Sequence, residues 1–285
     1  MADLSDFKGL NPAWCPGCGD FGILQALKKA LVALGREPRD VVLVSGIGQA
    51  AKMPHYLRAN VFNGLHGRGL PAATGVKLAN HGLTVVACGG DGDMYGEGGN
   101  HLIHAIRRNP DLTLLVHDNK IYGLTKGQAS PTTDQGVKTN VQVQGVANQP
   151  LNPLALAISQ KCGFVARGFS GDIPYLSEII RKGITYRGFA MIEIMQPCVS
   201  FNKINTAAWY KERIYKLEDE SGYDPSDMHQ ALDKAYEWGE RIPTGILFIH
   251  HKPTYEDKIF SPEATPLISK NIDPKQVFPL LRLYS

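Results

Sequence analysis

Short apolar runs rich in β-branched residues recur at Val41–Ser45, Thr84–Cys88, Thr113–His117, Phe164–Arg167, Phe189–Met195 and Ile246–His250. Each is too short for a core helix and of the right length for a strand buried on both faces. Between them the apolar positions change to helical spacing. The clearest case is Phe21–Leu34, where Ile23, Leu24, Leu27, Leu31 and Leu34 fall on one stripe and Asp20 stands where an N-cap belongs. Pro71–Ala79, Gly98–Arg108, Leu154–Lys161 and Tyr175–Lys182 are read as further helices. Strands alternating with helices over more than 150 residues predict an α/β fold with a doubly wound, mostly parallel sheet.

Two stretches break this rhythm. Tyr122–Asn152 is rich in Gly, Gln, Ser, Thr, Asn and Pro and lacks periodicity, and a loop of that length in a compact domain is usually functional. From Val199 onward the pattern loosens into segments bearing Trp and Tyr, a helix near Met228–Trp238 and a last strand. Residues 1–200 are therefore read as one α/β domain. Residues 201–285 are read as an irregular C-terminal extension packed on it or on a partner subunit, since their aromatic content argues against a disordered tail.

Composition narrows the classes. A formal charge of +3 over 285 residues is too small to make nucleic acid the default partner. No apolar run approaches the ~20 residues that span a bilayer, and the N-terminus has no basic segment leading into an apolar one. A cytoplasmic protein without a membrane partner is the expectation. Five cysteines, an odd number, point to reduced thiols or metal ligands rather than a disulfide framework.

The chemistry begins where the run Thr84–Cys88 ends, at Gly89-Gly90-Asp91-Gly92-Asp93. The next run, Thr113–His117, leads into Asp118-Asn119. Asp91 and Asn119 are 28 residues apart, room for a helix and a returning strand. A right-handed crossover makes the two strands parallel, so both residues face the rim where open α/β sheets bind ligands. A carboxylate and an amide oxygen there suit a hard cation such as Mg²⁺ that also grips phosphate. Glycines beside Asp91 allow close backbone approach, and the following helix offers free N–H groups to an anion.

A nucleotide site competes for Gly46-Ile47-Gly48-Gln49-Ala50-Ala51, which fits the dinucleotide fingerprint G-x-G-x-x-A. That fingerprint needs an acidic residue about 20 positions on, and none occurs between Asp40 and Asp91. A P-loop is absent too. The same acid-free stretch holds Lys52, Arg58, Arg68 and Lys77. They are either a solvated basic face or a lining for anions, and Lys52 and Arg68 are the candidates for contact with an anionic substrate.

Taken together, GDGD, HDN and YGLTKGQAS resemble the thiamine-diphosphate motif of 2-oxoacid:ferredoxin oxidoreductase β subunits. NPAWCPGCGDFGILQAL, SGIGQAAKMPHYL, LHGRGLPAATGVKLAN and IMQPCVSFNKINTAAWY extend the resemblance over most of the chain. It implies that Asp91, Asn119 and the Ile121 carbonyl bind magnesium. Gly92, Asp93, Gly123, Leu124 and Thr125 would line the diphosphate, while Ile47, Gly48, Gln49 and His66 would approach the cofactor from two other loops.

Cys15-Pro-Gly-Cys18 by itself fits a redox dithiol, half a zinc site or part of an iron–sulfur cluster. The resemblance implies a 4Fe–4S cluster on Cys15, Cys18, Cys198 and a fourth cysteine. Gln49 occupies that fourth position, and an amide is a poor iron ligand beside thiolate. Cys88 and Cys162 read as small buried apolar residues.

The implied reaction is oxidative decarboxylation of a 2-oxoacid with coenzyme A, its electrons passing to ferredoxin, with 2-oxoglutarate the favoured substrate. The glutamate expected against the aminopyrimidine ring needs a second α/β domain, which is assigned to an α subunit. A cluster-free non-oxidative decarboxylase and a non-catalytic scaffold are the alternatives. Gln49 favours both, and an intact Asp91–Asn119 pair argues against the scaffold.

Overall fold

The computed structural model describes residues 2–260, 265–271, 273, 275, 278, 279 and 282. The end of the extension, at 261–264 and in parts of 272–285, lies outside the described residues.

Ten strands are present among these residues: β1 (Val41–Ser45), β2 (Asn60–Asn63), β3 (Thr84–Gly90), β4 (Leu112–Asp118), β5 (Ile121–Tyr122), β6 (Gln128–Ala129), β7 (Phe164–Phe169), β8 (Phe189–Met195), β9 (Ile214–Lys216) and β10 (Ile242–Ile249). Eight of them form one sheet in the order β2-β1-β3-β4-β8-β7-β10-β9, while β5 and β6 make a separate short antiparallel pair. All neighbours in the large sheet are parallel except β7 and β10.

Side chains alternate between the two faces of the sheet. Leu43, Val86, Leu115 and Ile192 pack against helices Asp20–Ala33 and Ile173–Thr185. Val44, Ala87, Leu114 and Met191 pack on the opposite face against Gly69–Ala79, Gly99–Arg108, Pro153–Ser159 and Met228–Tyr236. Burial on both faces explains why the central strands are almost unbroken apolar runs. Cys88 and Cys162 are both fully buried in these layers.

Three elements differ from the sequence reading. Helix Asp20–Ala33 is preceded by Gly19 at the N-cap position, with no side-chain cap, because Asp20 turns inward and its carboxylate meets His117 Nδ1 at 2.7 Å. Strand β2 is exposed along its whole length, so it lacks the apolar signature of its neighbours. Strand β10 begins four residues before Ile246, in a Pro243-Thr244-Gly245 segment that resembles a turn in composition. A register shift between Ile246 and Phe248 absorbs the irregularity. Beyond residue 200 the chain returns to the main sheet, to which β9 and β10 add two strands.

Candidate functional site

Strands β3 and β4 end side by side, with Gly90 opposite His117. Their continuations place Asp91 and Asp118 together on the carboxyl rim, both nearly inaccessible. Asp91 Oδ2 accepts hydrogen bonds from Ser130 Oγ at 2.5 Å and Thr132 Oγ1 at 2.6 Å. The Thr132 hydroxyl also lies 2.7 Å from Asp118 Oδ1. One hydroxyl proton serves only one carboxylate at a time, so this pair is undercompensated. Burial first, and then the neighbouring Asp118 charge, hold the Asp91 carboxyl well above its ordinary range. Lys120 provides no direct neutralisation, since its ammonium contacts the Thr132 carbonyl and Asp134.

A tight turn follows β4. The Lys120 N–H donates to Asp118 Oδ1 at 3.0 Å, the Ile121 N–H donates to Asn119 Oδ1 at 2.9 Å, and Lys120 adopts φ 59°. These two side-chain turns hold Asn119 Oδ1 and the Ile121 backbone beside the rim. A carboxylate, an amide oxygen and a carbonyl fit a magnesium site, and the undercompensated Asp91–Asp118 pair provides the charge for one. Among the described residues no three His, Cys, Asp or Glu side chains group as a metal site on their own. That is compatible with a magnesium set containing only one such residue.

Asp93 gathers the surrounding loops. Its Oδ1 accepts from Gly67 N at 2.7 Å and Ile47 N at 3.2 Å, with His66 Nε2 at 3.7 Å. The sequence reading places Asp93 against the diphosphate; its Oδ1 holds two loops, while its Oδ2 is buried without a partner. Tyr122 closes the other side, its ring edge-on to His66 and its hydroxyl donating to the Gly92 carbonyl at 3.4 Å. Gly92 is compelled to be glycine, because a Cβ there would come within 2.1 Å of the Tyr122 ring. Gly48 has φ +120°, another conformation that favours glycine.

A small cavity of ≈ 80 Å³ adjoins this rim. Cys15, Cys18, Cys198 and Gln49 line it, with Asp20, Gln196, Asn119 and Gly123. The three cysteines from distant parts of the sequence therefore meet beside the proposed magnesium loop. Burial and the Asp20 carboxylate both push the Cys18 thiol strongly upward, so a free thiolate is disfavoured there without a metal. The three thiols line this one cavity, but among the described residues they do not group as a metal site. No thiol comes from position 49.

Ile47, Gln49, His66, Asp91, Gly92, Asp93, Asn119, Ile121 and Gly123 thus share one neighbourhood. Leu124 is exposed, and the Thr125 hydroxyl donates to Gln128 at 2.5 Å. Arg68 is exposed, with its guanidinium against His101, and Lys52 closes a short 3₁₀ turn after β1. Neither joins the contacts that organise the rim. Sequence reasoning missed Asp118, Ser130, Thr132, Tyr122, Asn202 and Gln196. Asp118 had a signal in HDN, Tyr122 and Ser130 in YGLTKGQAS, and Gln196 and Asn202 in IMQPCVSFNKINTAAWY, while Thr132 had none.

Fold and rim define a thiamine-diphosphate-binding α/β protein. Residues 41–194 match the family described as thiamine pyrophosphate enzyme, C-terminal TPP binding domain. Residues 198–262 match the family of C-terminal segments of the pyruvate ferredoxin oxidoreductase beta subunit. The chain is 48% identical over 258 residues to the 2-oxoacid:ferredoxin oxidoreductase subunit beta of Saccharolobus solfataricus, covering 86% of this chain and 85% of that one. It is 34% identical to a 2-oxoglutarate synthase subunit KorB of Methanocaldococcus jannaschii, covering 90% of this chain and 93% of that one. A solved 2-oxoglutarate:ferredoxin oxidoreductase from Magnetococcus marinus, with 2-oxoglutarate, coenzyme A and succinyl-CoA bound, superposes with a TM-score of 0.88 at 32% identity. The superposition covers 98% of this chain and 96% of that one. The chain belongs to the β subunits of the 2-oxoacid:ferredoxin oxidoreductases. No described helix is long and apolar enough to cross a membrane.

Proposed function

We propose that this chain holds the diphosphate and magnesium of thiamine diphosphate in an enzyme that oxidatively decarboxylates a 2-oxoacid with coenzyme A, with 2-oxoglutarate favoured. The observation that carries the reading is the buried Asp91–Asp118 pair at adjacent strand ends, beside a cavity lined by three cysteines. Asp91, Asn119 and the Ile121 carbonyl would hold the magnesium. Gly92, Asp93, Gly123, Leu124 and Thr125 would border the diphosphate, and Ile47, Gly48, Gln49 and His66 would face the rest of the cofactor. Asp93 keeps those loops in register by accepting from Ile47 and Gly67. When bound, thiamine diphosphate supplies the nucleophile and electron sink.

Cys15, Cys18 and Cys198 would carry a 4Fe–4S cluster that relays electrons singly to ferredoxin, in the cytoplasm. The α subunit would supply the aminopyrimidine-side domain. Lys52 and Arg68 are the candidates for meeting the anionic substrate, at the edge of the rim. Gln49 in place of a cysteine favours a second reading, a non-oxidative decarboxylase that needs no cluster.

The test is anaerobic co-purification of both subunits, iron and sulfide analysis, and viologen reduction with several 2-oxoacids. Iron, sulfide and dye reduction dependent on 2-oxoglutarate are expected. Carbon dioxide release without iron and without dye reduction would replace this reading by the non-oxidative one.

A further inference from the structure

Lys120 stands between Asn119 and Ile121, and its backbone is left-handed at φ 59°. A residue with a Cβ pays for that conformation, so its surroundings must hold it there. Lys120 is 7% exposed, and each of its polar groups is engaged. Its N–H donates to Asp118 Oδ1 at 3.0 Å, and its carbonyl accepts from Thr133 Oγ1 at 2.7 Å. Its Nζ donates to the Thr132 carbonyl at 3.0 Å and to Asp134 Oδ1 at 2.8 Å. These bonds fasten the turn after β4 to the segment whose Ser130 and Thr132 hydroxyls rest on Asp91.

One further contact comes from far along the chain. The Lys120 ammonium lies 4.5 Å from the centre of the Trp238 ring, in the C-terminal extension between helix Met228–Tyr236 and β10. The same ring receives Arg167, whose Cζ is 5.4 Å from its centre and whose Nη1 is buried without a hydrogen-bond partner. Trp209 and Tyr210 back the indole. A cation withdrawn from water is attracted to an aromatic face more strongly than one in solvent, so the indole compensates two buried cations at once.

We infer that Lys120 is a positioning residue for cofactor binding, and that Trp238 holds it in place, so the C-terminal extension helps to set the thiamine diphosphate rim. The inference rests on the reading that the turn Asn119–Ile121 meets the cofactor. Lys120 touches no proposed ligand atom with its side chain. It acts by fixing the turn that presents Asn119 and the Ile121 carbonyl, and by fixing the hydroxyl-bearing segment opposite. Trp238 acts one step further out, on the ammonium alone.

The experiment is calorimetric titration of the co-expressed complex of both subunits with thiamine diphosphate in the presence of Mg²⁺. Wild type is compared with Lys120→Met, Trp238→Phe, Trp238→Leu, the double variant Lys120→Met/Trp238→Leu, and Asn119→Ala. Thermal unfolding of each cofactor-free complex is followed separately. Lys120→Met is expected to weaken binding roughly 10-fold, as loss of a partner that orients a ligand group does. Trp238→Leu should weaken it roughly threefold, and Trp238→Phe should stay within error of wild type because an aromatic face remains. The double variant should bind like Lys120→Met alone, since Trp238 has then lost the ammonium it acts on. A purely structural role would lower the unfolding midpoints and leave no such coupling in the affinities. Affinity unchanged in Lys120→Met overturns the inference, as does a Trp238→Leu penalty that persists in full beside Lys120→Met. Trp238→Leu leaves Lys120 in place, so equal affinities in Trp238→Leu and Trp238→Phe overturn it even where Lys120→Met does not assemble. Unchanged affinity in Asn119→Ala overturns the reading of the turn itself, and this inference with it.

Discussion

Gly92→Ala tests whether the rim is as tightly packed as its geometry requires. The added Cβ would lie 2.1 Å from Tyr122 Cε1 and 2.7 Å from both Cδ1 and Cζ. Carbon atoms rest at about 3.5–4.0 Å, so the ring must retreat by roughly 1.4 Å. It has little freedom to do so, because His66 stands edge-on to it and its hydroxyl reaches back to Gly92. Tyr122 also follows Ile121 directly, so its retreat drags the carbonyl assigned to magnesium. Overpacking of this kind costs about 1–3 kcal/mol, and contact with three atoms of a stiff ring places it at the upper end. Alanine returns about 1 kcal/mol of helix propensity in the turn Gly92–Glu97, which leaves a net penalty near 2 kcal/mol. The expected result is thiamine diphosphate binding weakened by roughly 30-fold, measured by calorimetry on the co-expressed complex with Mg²⁺. In a Tyr122→Ala background the same change should cost almost nothing, because the clash is gone. Affinity within twofold of wild type would refute the reasoning, as would an equal penalty in both backgrounds.

Other outcomes follow from the same geometry. Asp91→Ala should abolish cofactor binding and Asn119→Ala should weaken it less, since an amide oxygen attracts a cation less than a carboxylate does; the same calorimetry measures both. Arg167 Nε lies 3.2 Å from Glu193 Oε2 with both side chains buried, so Arg167→Met strands a carboxylate and should cost about 3–5 kcal/mol in urea unfolding, most of it recovered in Arg167→Met/Glu193→Gln. Burial already raises the Glu193 carboxyl in the folded state, while Arg167 pulls it down. Without Arg167 it rises further, so above the wild-type value of about 7 only the variant's folded state binds the proton, and the penalty should shrink as pH falls toward neutrality from above and level off below it. The purified single chain should show no 2-oxoacid oxidation even with every cofactor supplied, and turnover by it would refute the division of labour between subunits. Gln49→Cys should raise iron content and resistance to air, read by iron analysis and EPR.

Much of the architecture was legible because strands buried on both faces cannot hide their composition. β1, β3, β4, β7 and β8 all announce themselves as apolar runs. β2 does not, because an exposed edge strand needs no apolar face. The start of β10 was obscured by Pro243 and Gly245, residues that also punctuate turns. Asp20 looked like a cap because helix beginnings favour acids, yet its partner His117 is 97 residues away. That Asp91 and the turn carrying Asn119 share one rim was visible through spacing, since parallel strands fix where their ends lie. That Ser130 and Thr132 reach the same rim was invisible for the converse reason. Nothing in an aperiodic loop says that it folds back over two carboxylates. Gln196 stood two positions from a cysteine that was noticed, and only the packed cavity shows which way its amide points.

The segment after Cys198 is tied directly to the turn after Asp118, because Asn202 Nδ2 donates to the Asn119 carbonyl at 3.0 Å. The proposed magnesium turn and the segment after Cys198 are therefore joined, so that ordering one bears on the other. Whatever ordering a cluster imposes on residues 198–202 is transmitted in part to the turn that presents Asn119. Linkage is reciprocal, so if a cluster is held there, a bound diphosphate would favour its retention by the same factor. A preparation that has lost its iron during handling would then report a thiamine affinity belonging to a different protein state, and restoring one group before the other would follow two unequal routes to the same end.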